Sequence, residues 1–264
     1  MTTARPPAVA GLFYPDDKAE LLQTVDELLN QSTDSPPSAQ TPKAIIAPHA
    51  GYIYSGPIAA SAYQRIRSNN KNIKRVAIFG PSHRFAFRGL AVPDSDIFTT
   101  PLGNIPLDKV AIKQLLQLPQ VQCLNQAHDQ EHSLEVHLPF LQRSLDDFTL
   151  IPVVVGDASA SDVAAAINAI WNDQDTLIVI SSDLSHYHDY ATAQRMDQHT
   201  SKAIETLQAE QIDYEDACGR NPVTGLLQVA QQRGLVVETI DLRNSGDTAG
   251  SKDSVVGYGA YVFH

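Results

Sequence analysis

The sequence predicts a single α/β domain, residues 1–264, built on a mostly parallel central sheet with helices on both faces. Three observations predict it. Short apolar runs of strand length alternate with helical periods of 11 to 19 residues along most of the chain, the pattern of successive βα units. The runs at 43–48, 75–80 and 176–181 are apolar almost throughout rather than alternating, as strands covered on both faces must be. No internal repeat divides the chain, and its 264 residues suffice for one sizeable core.

Taken in order, residues 16–30 place Leu21, Leu22, Val25, Leu28 and Leu29 on a helical period, with Asp16 or Asp17 as N-cap. The segment 31–42 (QSTDSPPSAQTP) is polar and proline-rich and reads as a surface loop. A strand at 43–48 follows, then a helix from Pro57 to about Arg67, since Pro57 suits a first helical turn. A strand is expected at 75–80, helices at 108–118 and 133–145, a strand at 149–155 and a helix at 160–171. The most apolar strand, 176–181, belongs at the centre of the sheet. Helices at 190–208 and 222–233 come next, the second with Pro222 in its first turn. Strands at 236–242 and 255–263 close the chain. The glycine-containing last run (VVGYGAYVF) is expected to pair antiparallel at an edge or beside a bulge.

Charge and composition exclude several function classes. The net charge of -11 opposes phosphate-backbone contact, so no nucleic-acid partner is expected. Neither a polybasic run nor an apolar stretch of membrane-span length is present. The N-terminus lacks a signal-peptide apolar region, and two cysteines make no disulfide framework, which together point to a reducing cytoplasm.

Chemistry-bearing residues gather where strands end. The 43–48 strand runs into His49 (APHAGY), the 75–80 strand into His83 (GPSH), and the 176–181 strand into Asp183 and His186 (SSDLSHY). In open α/β sheets ligands bind beyond the carboxyl ends of the strands. Two imidazoles from neighbouring strand ends suit Zn, Fe or Cu, although either histidine alone could serve a turn. Glu131 and His132 precede a helix body within EHSLEVH and are read as site residues. The order and spacing rule out a zinc-peptidase His-Glu-x-x-His. Glu135 and His137 fit a site or a capped amphipathic helix equally. His186 suits acid–base work near neutral pH, while Asp183 is either its partner or a helix cap. Cys218, ahead of a helix and beside Arg220, is expected to have a lowered thiol pKa, though from composition a buried packing role is the commoner one.

Together AGLFYP (10–15), APHAGYIYSGPIAA (47–60), GPSH (80–83), EHSLEVHLPFLQ (131–142), SSDLSHY (181–187), ACGRNP (217–222), NSGDT (244–248) and VVGYGAYVF (255–263) resemble the Memo family. Its bacterial members are called AmmeMemoRadiSam system protein B. The resemblance spans nearly the whole chain and implies a three-layer sandwich like that of LigB-type, class III extradiol dioxygenases, which hold non-haem Fe(II) with two histidines and a carboxylate. Carried over by motif, it implies His49 and His83 as metal ligands, Cys218 as the third, and His186 as the acid–base group. Glu131, His132 and Asp183 then line the pocket. Fe(II) is the first expectation, with Cu or Zn as alternatives, because a thiolate is softer than a carboxylate. The implied activity is a LigB-like oxidoreductase acting on a small substrate. A zinc-dependent hydrolase or lyase, and a peptide-binding adaptor that keeps the metal pocket, are the alternatives. The resemblance also implies partners in a radical-SAM enzyme and an AMMECR-type protein.

Overall fold

The computed structural model describes residues 2–31, 41–68, 72–171 and 175–264. Its first elements are β1 (Ala4–Arg5), α1 (Lys18–Gln31), β2 (Ala44–Ala47), α2 (Tyr52–Arg67) and β3 (Arg75–Pro81). Then come β4 (Leu90–Val92), β5 (Ile97–Thr100), β6 (Gly103–Pro106), α3 (Lys109–Leu115) and β7 (Val121–Cys123). Next are α4 (Gln126–Asp129), α5 (Leu138–Ser144), β8 (Thr149–Val155), α6 (Ala160–Ile170) and β9 (Thr176–Ser181). The chain ends with β10 (His186–His188), α7 (Tyr190–Glu205), α8 (Arg220–Arg233), β11 (Val237–Asn244) and β12 (Val255–Phe263).

The large sheet has the order β10-β12-β2-β9-β3-β8-β4-β7, with β11 also on β12. Its centre, β2-β9-β3-β8, is parallel throughout. The flanks are mixed, with β12 antiparallel to β2 and β4 antiparallel to β8. β2 and β9 are buried at every position, which is why their sequences are continuous rather than alternating apolar runs. Helices flank this sheet, giving a three-layer α/β sandwich around one continuous apolar core. A small second sheet, β1-β5-β6, lies beside it.

Two expectations need correction, and a third had two alternatives of which one holds. α2 starts at Tyr52 rather than Pro57, because Gly51 already ends the histidine loop and the buried Tyr52 hydroxyl donates to Val136 O at 2.7 Å. Pro57 therefore lies inside the helix. The expected helix at 133–145 begins as a 3-10 turn over Glu135–His137 and becomes α-helical only at Leu138. β12 pairs antiparallel beside a bulge, as the second of its two expected placements has it, and not at an edge, since β11 and β2 pair on its two sides. The expected loop at 31–42 falls mostly on residues outside those described. No helix among the described residues is long and apolar enough to cross a membrane.

The N-terminal segment is fastened by a buried ion pair between Arg5 and Glu135. Glu135 also accepts from Ala8 N (2.7 Å), Val9 N (3.0 Å) and the Tyr14 hydroxyl (2.6 Å). Glu135 is buried and fastens the N-terminal segment, a role that neither of its two sequence readings named. The fastening brings Phe13 against the His132 ring, centroids 4.7 Å apart.

Two buried histidines outside the sheet edge set an acid limit on stability. His128 Nε2 contacts Ala91 O at 3.1 Å and His137 Nδ1 contacts the Tyr63 hydroxyl at 2.9 Å. Burial lowers both pKa values to about 3. A histidine whose folded pKa lies below its unfolded value near 6.5 stabilises the fold fully above that value. The contribution fades as pH falls toward the folded pKa, by roughly 4 kcal/mol for each group. The urea midpoint is thus expected to drop steadily from about pH 6.5 to about pH 3. His137→Gln should flatten that decline. An unchanged slope would show that His137 is not held neutral.

Candidate metal centre

Parallel pairing puts the ends of β2, β9 and β3 side by side, so the loops carrying His49, Asp183 and His83 leave one edge of the sheet. Two glycines allow the remaining segments to close in. A Cβ on Gly80 would sit 2.7 Å from Leu134 and 2.8 Å from Ser133 Oγ, so its absence lets the Glu131–Leu134 turn pack on the end of β3. A Cβ on Gly219 would sit 2.6 Å from Ser181 O and from Ser182 Cβ, so the start of α8, with Cys218, reaches the end of β9.

His49, His83 and His132 each offer a ligand atom, and these atoms all lie within 4.8 Å of one another. The orientation of each imidazole has an identifiable cause. His49 is buried, and its Nδ1 lies 2.6 Å from Ser181 Oγ. The Ser181 hydroxyl donates its single proton to Ser133 O at 2.6 Å, so toward His49 it can only accept. Nδ1 of His49 therefore carries the proton, and Nε2 presents a bare lone pair. Burial and the neighbouring His83 and His132 hold the His49 pKa well below its usual value, which keeps the ring neutral.

Glu131 does the same for His83. Its Oε1 lies 3.0 Å from His83 Nδ1 and 3.3 Å from His132 Nδ1. Its Oε2 accepts from His83 N at 2.6 Å, and Oε1 also accepts from Ser133 N at 3.0 Å. Burial alone would raise this carboxyl, but bonding to His83 and the backbone outweighs it and brings the pKa down to about 2. An ionised carboxylate only accepts, so His83 Nδ1 donates and leaves Nε2 free. Carboxylate–histidine pairs of this kind fix ring orientation and raise ligand basicity in metal sites. Burial, opposed by Glu131, lowers the His132 pKa to about 4, so that ring too is neutral at pH 7.

Cys218 meets this group through His49: its Sγ lies 3.4 Å from the bare Nε2. Sulfur and nitrogen ligands at about 2.3 and 2.0 Å from one tetrahedral ion are about 3.5 Å apart, so the spacing fits two ligands of one metal. The expected low thiol pKa is not met. Burial and then the Asp183 charge push it up, while Arg220 is turned away, bonded to Ile212 O at 2.7 Å and stacked on Tyr214. Asp183 Oδ1 accepts from His49 N at 2.7 Å. Burial raises the Asp183 carboxyl to about 7, against the pull of that bond. His186 is half-buried, and burial lowers its pKa.

His49, His83, His132, Asp183, His186 and Cys218 all line one cavity of about 1050 Å³. Glu131 stands behind it, bonded to His83. The seven residues read as catalytic or metal-ligating are thus in one place, with His132 in the imidazole cluster itself, whereas Glu135 and His137 lie apart from it. Ser181, Phe13, Tyr54, Tyr187 and Tyr258 were not anticipated. The one signal for Ser181 was its place in SSDLSH, where a strand-end serine reads as a turn residue.

Fold and site define a three-layer α/β protein with a histidine cluster able to bind a metal at the carboxyl edge of its parallel strands. A family model described as Memo-like protein matches residues 5–262. The chain is 37% identical to a "MEMO1 family protein" of Aquifex aeolicus, over 98% of both chains. It is 34% identical to one of Methanobrevibacter smithii, over 98% of this chain and 99% of that one. The chain belongs to the Memo-like family.

Proposed function

We propose that this protein is a metal-dependent oxidoreductase acting on a small planar substrate, with His49, His83 and Cys218 as ligands and iron as the first choice of metal, ahead of copper or zinc. The observation that carries the reading is the presetting of His49 and His83: Ser181 and Glu131 hold their Nδ1 protons, so two bare lone pairs point into a cavity. A redox-active ion held there supplies the electronic coupling between substrate and O2 that side chains cannot. The remaining steps belong to the chain itself. Asp183, its pKa raised to about 7 by burial, can exchange a proton near neutral pH. His186, on the same cavity wall, offers a second, largely neutral base. Phe13, Tyr54 and Tyr258 line the cavity and would shield the substrate from water.

The three-imidazole cluster supports a second reading. His132 in place of Cys218 gives the ligand set of zinc enzymes that activate water, with Asp183 or His186 as base. Anaerobic loading with Fe(II), Cu(I) or Zn, followed by O2-uptake measurement on catechols, separates the two. Uptake with iron or copper and none with zinc is expected. Hydrolytic or lyase turnover with zinc alone would support the second reading, and ligand binding without turnover under every metal would support an adaptor.

A further inference from the structure

Tyr187 combines three features that are rarely found in one residue. Its φ is +60°, the left-handed region that bulky side chains avoid. It is 78% exposed. It is also the extra residue of a β-bulge, since His186 pairs with Val256 and His188 with Val255, so β10 advances two residues where β12 advances one. Glycine is the residue that a left-handed bulge position favours. Bulges beside active sites serve to re-aim a side chain, and the ring this one carries lines the mouth of the metal cavity. Neither core packing nor local backbone preference accounts for a tyrosine there.

The rest of the wall indicates what the ring meets. Phe13, Tyr54, Tyr214 and Tyr258 share the cavity, and its carboxylates are Asp183 and Glu215. Among the described residues, neither lysine nor arginine lines it. Such a lining offers aromatic faces, the exposed carboxylate of Glu215 and no cationic side chain, which suits a flat ring without an anionic substituent.

We propose that Tyr187 is the specificity-determining residue of the cavity, its ring covering a planar, uncharged or cationic aromatic ligand. The inference rests on the metal-centre reading above. It predicts opposite effects on stability and on binding. Replacing the strained residue by glycine relieves the backbone, while removing the ring uncovers the ligand.

The test uses zinc-loaded protein and anaerobic calorimetric titration with catechol, dopamine and 3,4-dihydroxybenzoate. In the wild type, catechol and dopamine are expected to bind more tightly than the anionic dihydroxybenzoate. Tyr187→Gly should keep or raise the melting temperature and weaken catechol binding about three- to tenfold, the range an aromatic contact supplies. Tyr187→Phe should keep wild-type catechol affinity, because the ring rather than the hydroxyl makes the cover. Unchanged catechol affinity in Tyr187→Gly, a marked fall in its melting temperature, or tightest binding of dihydroxybenzoate would each overturn the inference. A wild type that takes up zinc but binds none of the three rings would overturn it while leaving the metal centre standing. Failure to take up zinc overturns both.

Discussion

Glu131→Gln is expected to lower zinc affinity about 10- to 100-fold, the usual effect of removing a group that orients a metal ligand. Glu131 bonds His83 through both its backbone N–H and its Nδ1, bonds Ser133 N, and stands 3.3 Å from His132 Nδ1. Glutamine keeps one accepting oxygen and turns an NH2 group toward groups that are themselves donors. At least one of these bonds must be lost, and leaving a buried donor unpaired costs about 1–3 kcal/mol. Chelator competition measures the affinity and a thermal melt measures the stability cost. The variant should stay folded, because the apolar core is continuous and does not depend on this carboxylate. Wild-type affinity in a folded Glu131→Gln protein would show that His83 is positioned by its loop alone.

Cys218→Ser carries the second large effect and decides the ligand set. If the thiol lying 3.4 Å from His49 Nε2 becomes a ligand, the substitution should cut metal affinity at least about tenfold. It should also remove the thiolate-to-metal charge-transfer band of cobalt-loaded protein. Cys123→Ser should do neither, since Cys123 is an exposed residue at the end of the outer strand β7. Full affinity in Cys218→Ser together with its loss in His132→Ala would give the third position to His132.

The central strands and the residues at their ends were legible in the sequence for one physical reason. A strand buried on both faces must be apolar throughout, so the first few polar residues after it mark both the strand end and the sheet edge. His49, His83 and Asp183 were found that way. The short strands β4 to β7 were not, because segments of three or four residues are too brief to establish a period. The start of α2 was missed because Pro57 is a strong local signal, whereas the anchor at Tyr52 is a bond to Val136, 84 residues away. The thiol of Cys218 was misjudged for a related reason. Sequence shows that Arg220 is near in the chain, but not that its guanidinium turns toward Ile212 and Tyr214. Ser181 had no distinct signal, since its role exists only once Ser133 O and His49 Nδ1 converge on its hydroxyl.

Anomalous diffraction from metal-loaded crystals, collected at the absorption edge of the bound ion, tests the metal centre most directly. The expected result is one strong peak in contact with Nε2 of both His49 and His83 and with Cys218 Sγ. A peak at the Nδ1 side of either ring, a peak away from these two histidines, or no peak in crystals whose protein retains the metal in solution would contradict it.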